Sequence, residues 1–312
     1  IPIELREKKK LEKENMLLLK DFDKLNEQNK VLKNKINKGK YEIKTIENFK
    51  MESFILPYIV DEKKTFLNKK TGYLGLYKYK LFVFFTSGKI IYFDKKNFNS
   101  KNFEFKQIKN DLINSNYFNN KIKWTGVRDI LIDEEDIYIS ITDEKKTDCY
   151  STSILHSKIN FNFMKFEKIF KDNECVHNNK YIKGFKYFNG YQTGGRIVKK
   201  NNFLYLTIGD YNDWQKPQNI KSIIGKVIEI NLENKNFRVV SLGHRNPQGL
   251  QNIENEENYL ILTEHGPKGG DEINIIDIKK INNYGWPLAS YGDHYDKFPL
   301  NHFTNKYAPL KK

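Results

Sequence analysis

Three short loops concentrate the side chains of this sequence that can do chemistry. Residues 243–250 are Gly-His-Arg-Asn-Pro-Gln-Gly-Leu, residues 264–272 are Glu-His-Gly-Pro-Lys-Gly-Gly-Asp-Glu, and residues 283–287 are Asn-Tyr-Gly-Trp-Pro. Much of the remaining chain is a uniform mixture of Lys, Asn, Ile, Phe and Tyr. Because loops lie outside the packed scaffold and often carry binding residues, this density predicts a functional site rather than simple connections.

Two of these loops have the chemistry of binding sites, one for a cation and the other for an anionic ligand. In residues 264–272, three glycines and a proline between carboxylates can turn backbone carbonyls inward, and calcium takes carbonyl and carboxylate oxygens together. The alternative is an acidic surface turn. Arg245 offers a planar fork of donors and Asn246 offers a donor and an acceptor, which suits an anionic, carbonyl-rich ligand. The alternative is an arginine held in structural hydrogen bonds.

Alternating strands must position these loops. From residue 72 onward the sequence has period-two hydrophobic patterns in four clusters, near residues 80–94, 130–155, 195–231 and 249–276. Each cluster passes through a strongly apolar strand to a polar tip and then closes with another strand. Short strands in a repeated multi-strand unit predict an all-β fold, a β-propeller, with a β-sandwich as the alternative. Because four blades of this size rarely close a ring, we expect one or two further blades beyond residue 312.

Residues 1–40 have a different pattern and predict an α-helix with coiled-coil character. Leucines recur every seven residues, and mixed residues occupy the intervening core positions: Leu11, Leu18, Leu25 and Leu32, with Asn15, Phe22, Asn29 and Ile36. The sequence therefore predicts a stalk at residues 1–40 that pairs with a second copy, a linker at 41–71 and a propeller at 72–312. A solitary amphipathic helix packed on its own domain is the alternative.

Composition bounds the classes of partner. Hydrophobic residues make up 38% and aromatic residues 14% of the 312 residues, enough for a real core, and the net charge is +15. The lysines are scattered and do not alternate with stacking aromatics, so we expect a solvated basic surface and no nucleic-acid binding. Cys149 and Cys175 either form one bridge in an exported protein or are two unrelated thiols in a cytosolic one.

Taken together, the three loops resemble the soluble glucose/sorbosone dehydrogenase family. The resemblance rests on Arg-Asn-Pro-Gln-Gly-Leu, Glu-His-Gly-Pro-x-Gly-Gly-Asp-Glu and Asn-Tyr-Gly-Trp-Pro, extends upstream through residues 194–210 and 225–227, and covers roughly residues 70–312. It implies a six-bladed propeller, of which about four blades are present here. It also implies oxidation of aldose hydroxyls with pyrroloquinoline quinone (PQQ) and Ca²⁺.

The resemblance also implies roles for individual residues. Arg245 and Asn246 match the positions that contact the quinone. Gly266 and Pro267 match the positions whose carbonyls hold the active-site calcium. Glu272 and the Tyr284 carbonyl match a second, structural calcium site, although the spacing between these two residues is longer here.

Two positions depart from the family pattern. The general-base histidine, which takes a proton from the sugar hydroxyl, is replaced by Gln192, and an amide cannot accept a proton at neutral pH. The glutamine near the quinone aligns with Trp124. The family's later Lys and Arg ligands of the quinone fall in blades that we expect beyond residue 312.

Two functions are therefore open. The first is a PQQ- and calcium-dependent aldose dehydrogenase that transfers hydride from a sugar to the quinone. The second is a non-catalytic propeller that binds a glycan or a protein partner, because Gln192 stands where the base should be. For either function we predict a Cys149–Cys175 disulfide and a periplasmic or extracellular location. We also expect a leader or membrane anchor upstream of Ile1.

Overall fold

The computed structural model describes residues 16–17, 19–28, 40–46, 49–55, 72–85, 88–97, 105–112, 126–170, 172–178 and 190–292. This described part divides into two compact units. The smaller unit comprises residues up to 60 together with 93–106, and the larger one comprises 61–92 and everything from 107 onward. Within the described residues, no helix is long and apolar enough to cross a membrane.

Among its described residues, the smaller unit contains a helix and a β-hairpin. Residues 16–17 and 19–28 are helical, in agreement with the predicted N-terminal helix. Strands β1 (Lys40–Ile46) and β2 (Phe49–Ile55) pair antiparallel. The predicted linker at 41–71 thus contains this hairpin apart from Lys40, and Tyr41, Ile43 and Thr45 alternate with charged residues at the period of a strand. Residues 56–71 lie outside the described residues.

The remaining described strands form four sheets. A 3-10 turn spans Lys95–Asn97. The strands are β3 (Gly72–Tyr77), β4 (Lys80–Phe85), β5 (Ile90–Asp94), β6 (Phe105–Asn110), β7 (Gly126–Asp133), β8 (Asp136–Lys146), β9 (Cys149–Lys158), β10 (Phe163–Met164), β11 (Glu167–Phe170), β12 (Val176–His177), β13 (Gly194–Lys200), β14 (Phe203–Ile208), β15 (Lys226–Asn231), β16 (Phe237–Leu242), β17 (Pro247–Asn252), β18 (Tyr259–Glu264), β19 (Glu272–Asp277) and β20 (Asn282–Asn283).

Each sheet follows the chain from one edge to the other. The orders are β3-β4-β5-β6-β10, β7-β8-β9-β11 with β12 also on β9, β13-β14-β15-β16-β20, and β17-β18-β19. The first strands β3, β7, β13 and β17 contact one another in that sequence. Sequential antiparallel sheets whose first strands adjoin are the blades of a β-propeller. This confirms the predicted all-β propeller with about four blades, and the sandwich alternative does not apply.

Three apolar layers fill the spaces between successive sheets. Because the central strands are buried on both faces, they are continuous apolar runs rather than strict alternations. The layers include Phe84 and Ile139 between the first two sheets, Ile154 and Leu206 between the second and third, and Tyr205, Val227 and Leu262 between the third and fourth.

A disulfide fixes the outer part of the second sheet. Cys149 begins β9 and is bonded to Cys175, with a Cα–Cα distance of 5.3 Å. The next residue, Val176, pairs with Tyr150 in the β9–β12 ladder. The predicted Cys149–Cys175 bridge is therefore confirmed.

Replacing both cysteines by serine should lower the free energy of unfolding by about 3 kcal/mol, because the bridge closes a loop across a sequence separation of 26 residues. Urea titrations of the wild type and the double variant measure this difference. A reductant should lower the stability of the wild type to that of the variant and leave the variant unchanged. Equal stability of the two oxidised proteins would contradict the prediction.

Candidate functional site

Loops from the third and fourth sheets meet at one end of the first strands. Asp210 follows β14, Arg245 and Asn246 lie between β16 and β17, and Glu264 ends β18. Backbone contacts fasten these loops together. The Asp210 amide donates to the Arg245 carbonyl (2.8 Å), the His265 amide to the Asn246 carbonyl (3.1 Å), and the Arg245 amide to Glu264 Oε2 (2.9 Å). Main-chain positions in the site are thus set by hydrogen bonds and not by side-chain packing alone.

A buried lysine holds the base of the loop between β14 and β15. Lys226 is fully buried, and its Nζ donates to the carbonyls of Lys216 (3.0 Å), Pro217 (2.8 Å) and Ile224 (2.8 Å). All three ammonium donors are therefore satisfied. Burial lowers the pKa of Lys226 to about 8. Glu174, beside the disulfide, accepts from Lys216 Nζ at 2.8 Å and ties the same loop to the second sheet.

Arg245 is the central side chain of the site. Its Nη1 donates to the carbonyls of His265 (3.0 Å) and Gly266 (2.6 Å), and its guanidinium lies 5.4 Å from the centre of the Trp286 ring. Its Nη2 lies 2.9 Å from the amide oxygen of Gln192 when that amide is oriented to suit its neighbours. Arg245 Nε is buried and has no hydrogen-bond partner in the described part of the chain. A buried donor of this kind normally has an acceptor, so one is missing here.

Gln192, at the position where the resemblance predicts a base, has its amide fixed on both sides. In the same orientation, its nitrogen donates to both oxygens of Asp210, at 2.5 and 3.0 Å. Its backbone has a φ of 57°, an unusual conformation for a side chain of this size that clusters at functional sites. Its carbonyl accepts from the Tyr211 amide at 3.0 Å. The residue is thus held in place, yet it offers no group that can take a proton.

Asp210 is a buried carboxyl that sequence reasoning did not single out. Its Oδ2 accepts from Trp286 Nε1 (2.7 Å) and its Oδ1 from the Asn212 amide (2.9 Å), besides the contacts from Gln192. Burial raises the pKa of Asp210 to about 7, although the Arg245 charge opposes the shift. The signal in the sequence was its place at the polar tip of an apolar strand. Because its oxygens are fully hydrogen-bonded and the residue has no exposed surface, it is not a base for a substrate.

A buried pair, His244 and Glu264, holds the loop that carries Arg245. His244 is fully buried, with Nδ1 2.8 Å from Glu264 Oε1 and Nε2 2.7 Å from Ser241 Oγ. Its ring stacks on Tyr284 at 4.9 Å between centroids. Asn274 Nδ2 donates to the same Glu264 oxygen at 2.9 Å. Since both ring nitrogens are engaged, His244 positions the loop and does not replace the missing base.

The two carbonyls expected to bind calcium are both engaged. The Gly266 carbonyl accepts from Arg245, and the Pro267 carbonyl accepts from the Gly270 amide at 3.0 Å. The Gly266 amide in turn donates to Asp271 Oδ1 at 3.2 Å. Calcium takes six to eight oxygens and is repelled by a neighbouring cation. Each carbonyl oxygen keeps a second lone pair, and calcium at this loop remains a prediction.

Glu272 and Tyr284 lie on the His244 side of the site. Glu272 Oε2 accepts from Asn274 at 3.1 Å, and burial raises the pKa of the Glu272 carboxyl. The Tyr284 hydroxyl donates to the Ile275 carbonyl at 2.5 Å. Across the described ranges, no group of three or more His, Cys, Asp or Glu side chains is arranged to hold a metal. Calcium at this second position remains a prediction.

A small polar cavity opens beside Gln192 and Asn246. Its volume is about 250 Å³, and Asn246 Oδ1 faces it between the Gly194 amide (3.4 Å) and Gln248 Nε2 (3.1 Å). The structure thus brings together Gln192, Arg245, Asn246 and Gly266, as the sequence predicts. Trp124, the other predicted departure, lies outside the described residues. The cavity lining is Tyr73, Arg128, Gly190, Tyr191, Gln192, Thr193, Gly194, Arg196, Asn246 and Gln248.

The fold and this loop cluster define a β-propeller with its candidate site at the ends of the first strands. The sequence model of the glucose/sorbosone dehydrogenase family matches residues 120–310. The chain belongs to that family.

Two named relatives agree with this assignment. The chain is 34% identical over 125 residues to the aldose sugar dehydrogenase YliI of Escherichia coli, covering 36% of this chain and 33% of that protein. It is 34% identical over 134 residues to quinoprotein glucose dehydrogenase B of Acinetobacter calcoaceticus, covering 33% and 27%. These alignments span a third or less of the relatives' length.

Two solved structures share the fold. The apo form of the soluble aldose sugar dehydrogenase of Escherichia coli has a TM-score of 0.57 at 20% identity, over 76% of this chain and 68% of that one. The PQQ-bound aldose sugar dehydrogenase of Streptomyces coelicolor has a TM-score of 0.52 at 19% identity, over 73% and 68%.

Asp210→Asn should flatten the pH dependence of stability. The folded pKa of Asp210, about 7, lies above its ordinary value of 3.8. Between these values the folded state holds a proton that the unfolded state has lost, so stability falls as pH rises. From pH 5 to pH 8 the wild type should lose about 1–3 kcal/mol more than the variant, as measured by urea unfolding.

The matched control is Asp277→Asn. The Lys279 amide lowers the pKa of Asp277, so that carboxyl stays ionised across this range and the control should follow the wild type. If the two proteins with and without Asp210 had parallel pH profiles, Asp210 would not be a buried acid.

Proposed function

We propose that this protein is a PQQ-dependent sugar dehydrogenase-like protein that holds the quinone with Arg245 and Asn246. The buried Arg245 Nε, which has no partner among the described residues, carries the proposal. A quinone or carboxylate oxygen supplies the acceptor that this donor lacks. Bound there, a quinone would supply the acceptor for a hydride from the sugar carbon that bears the reacting hydroxyl, and the hydroxyl would lose its proton. The name of the Acinetobacter relative, a quinoprotein glucose dehydrogenase, supports the same cofactor and substrate class.

The chain's own residues bind and orient the ligand but move no proton at the base position. Arg245 Nε and the Asn246 amide bind from one side, and the Gln192 amide remains fixed between Asp210 and Arg245. Loss of a general base typically lowers a rate by about 10²–10⁴-fold. We therefore expect sugar oxidation to be slow. For the same reason, a propeller that binds a glycan or protein partner without turnover is the second candidate function.

We propose that calcium binds at residues 264–272 together with the ligand. The Gly266 carbonyl keeps one lone pair beside its hydrogen bond from Arg245 Nη1, and ligand oxygens would complete a coordination shell that two carbonyls cannot. We propose Gly266 and Pro267 for this ion and Glu272 with the Tyr284 carbonyl for a second one. We place the protein in the periplasm or outside the cell, where the Cys149–Cys175 disulfide persists.

Gln192→His should raise PQQ- and Ca²⁺-dependent oxidation of aldoses by about 10²–10⁴-fold, because an imidazole restores a group that can take the hydroxyl proton. Reduction of a dye by the purified protein measures the rate. Tyr191→His, which adds the same ring one residue away, is the matched control and should have no such effect.

Two further results separate the candidate functions. Arg245→Gln should abolish PQQ binding in either background. If the wild type and Gln192→His both bind PQQ and neither turns over sugar, the non-catalytic function is favoured. If neither binds PQQ in the presence of Ca²⁺, the proposed function is wrong.

We also propose that the N-terminal helix pairs with a second copy of the chain. Phe22 and Leu25, which occupy heptad core positions, are 63% and 57% exposed. Apolar residues at that spacing are buried when two helices pair. The partner is the same helix, since the heptad pattern is self-complementary.

Leu25→Gln should convert a dimer to a monomer in light-scattering measurements of the full chain, because it places an amide in the apolar seam. Lys24→Gln changes the neighbouring polar residue and should leave the dimer intact. A monomeric wild type at micromolar concentration would contradict the pairing.

A further inference from the structure

Arg128 lines the cavity beside Gln192. It belongs to none of the three loop motifs and is not one of the residues proposed to contact the quinone. Arg128 lies on β7, and its Nε donates to Thr142 Oγ1 at 2.7 Å. Its Nη2 reaches only the Gly190 carbonyl, at 3.5 Å, the limit of a hydrogen bond. Across the residues that the structure describes, no carboxylate pairs with this guanidinium. Two of its nitrogens are therefore available to a ligand in the cavity.

The fold makes room for this side chain. Gly195 has a φ of 108°, and a Cβ at that position would overlap the Cβ of Arg128. Only glycine combines that conformation with the missing side chain. The aliphatic part of the Arg128 side chain therefore passes beside Gly195, at the start of β13, toward the cavity. The close contact between the second and third sheets fixes its position.

The charge of Arg128 is left uncompensated, whereas its neighbour is neutralised. Arg196 Nη1 pairs with Asp129 Oδ1 at 2.8 Å, and its Nε donates to the Gln248 carbonyl at 2.5 Å. Burial lowers the pKa of Arg128, but an arginine in a protein stays charged. An unpaired cation in a partly buried cavity is costly unless an anion joins it, so the cavity favours a negatively charged group.

The remaining lining residues suit the polar body of a small ligand. The side chains of Thr193, Asn246 and Gln248 offer amide and hydroxyl donors and acceptors. The volume of about 250 Å³ lies just under the roughly 300–1,000 Å³ of pockets for drug-sized molecules. A single sugar ring or one end of a larger ligand matches this size.

We propose that Arg128 is a specificity residue that binds a carboxylate of the ligand in this cavity. The proposal rests on the proposed function, in which two ligands can carry that group: an acidic sugar, a uronate, or the quinone cofactor, which bears carboxylates. Arg128 forms a charge-assisted pair with the carboxylate while Thr142 holds its Nε. In the first case the substrate class is sugar acids rather than neutral aldoses.

Isothermal titration of the full chain with Ca²⁺ tests the proposal, using glucuronate against glucose and, separately, PQQ. The wild type should bind glucuronate at least about tenfold more tightly than glucose, as expected for a charge-assisted hydrogen bond. Arg128→Gln retains a donor for Thr142 and should remove that preference without weakening glucose binding. Arg128→Lys keeps the positive charge and should retain part of the preference for glucuronate.

The titrations with glucuronate and with PQQ show which ligand carries the carboxylate. If Arg128→Gln instead weakens PQQ about tenfold or more and leaves the two sugars unchanged, the carboxylate belongs to the cofactor. Equal affinities of the wild type and Arg128→Gln for all three ligands would overturn the proposal, and so would a wild type that binds none of them. If Arg128→Gln does not fold, the glucuronate preference of the wild type and its change in Arg128→Lys decide. If the wild type prefers glucuronate but does not bind PQQ, the role of Arg128 is supported and the proposed cofactor is wrong.

Discussion

The buried Arg245 guanidinium is the interaction on which the rest of the site depends. It joins the loop after β18, through the carbonyls of His265 and Gly266, to the Gln192 amide before β13. A charge buried this deeply is tolerated only when its donors are paired. Three loops accordingly contact it, those of Gln192, of His265 with Gly266, and of Trp286. We propose that the buried Nε, which has no partner among the described residues, binds a ligand oxygen.

The placement of Gln192, which we predict to stand at the family's base position, follows from the same constraint. An amide can donate to Asp210 with one end and accept from Arg245 with the other, so it satisfies two buried groups at once. Burial that raises the Asp210 pKa to about 7 makes such a neutral partner favourable, because it holds the carboxyl without requiring a second charge. The geometry therefore stabilises a binding rim while leaving the proton-transfer step without a titrating group.

The sequence predicted the propeller strands, the Cys149–Cys175 bridge and the convergence of Arg245, Asn246 and Gly266, because period-two patterns and dense loop motifs are local signals. It did not predict the β1–β2 hairpin, which falls in the predicted linker. Asp210 and Arg128 were also missed. Their properties come from burial and from the contact of sheets that lie far apart in sequence, and no local pattern records either. Residues 264–272 show the same limit, because their motif does not record the hydrogen bond from Arg245 to the Gly266 carbonyl.

A crystal structure of the full chain with PQQ and Ca²⁺ would show whether Arg245 holds the quinone. We expect a quinone or carboxylate oxygen within hydrogen-bond distance of Arg245 Nε, with Asn246 beside it. Quinone bound elsewhere, or absent, with Arg245 Nε still unpartnered, would contradict it.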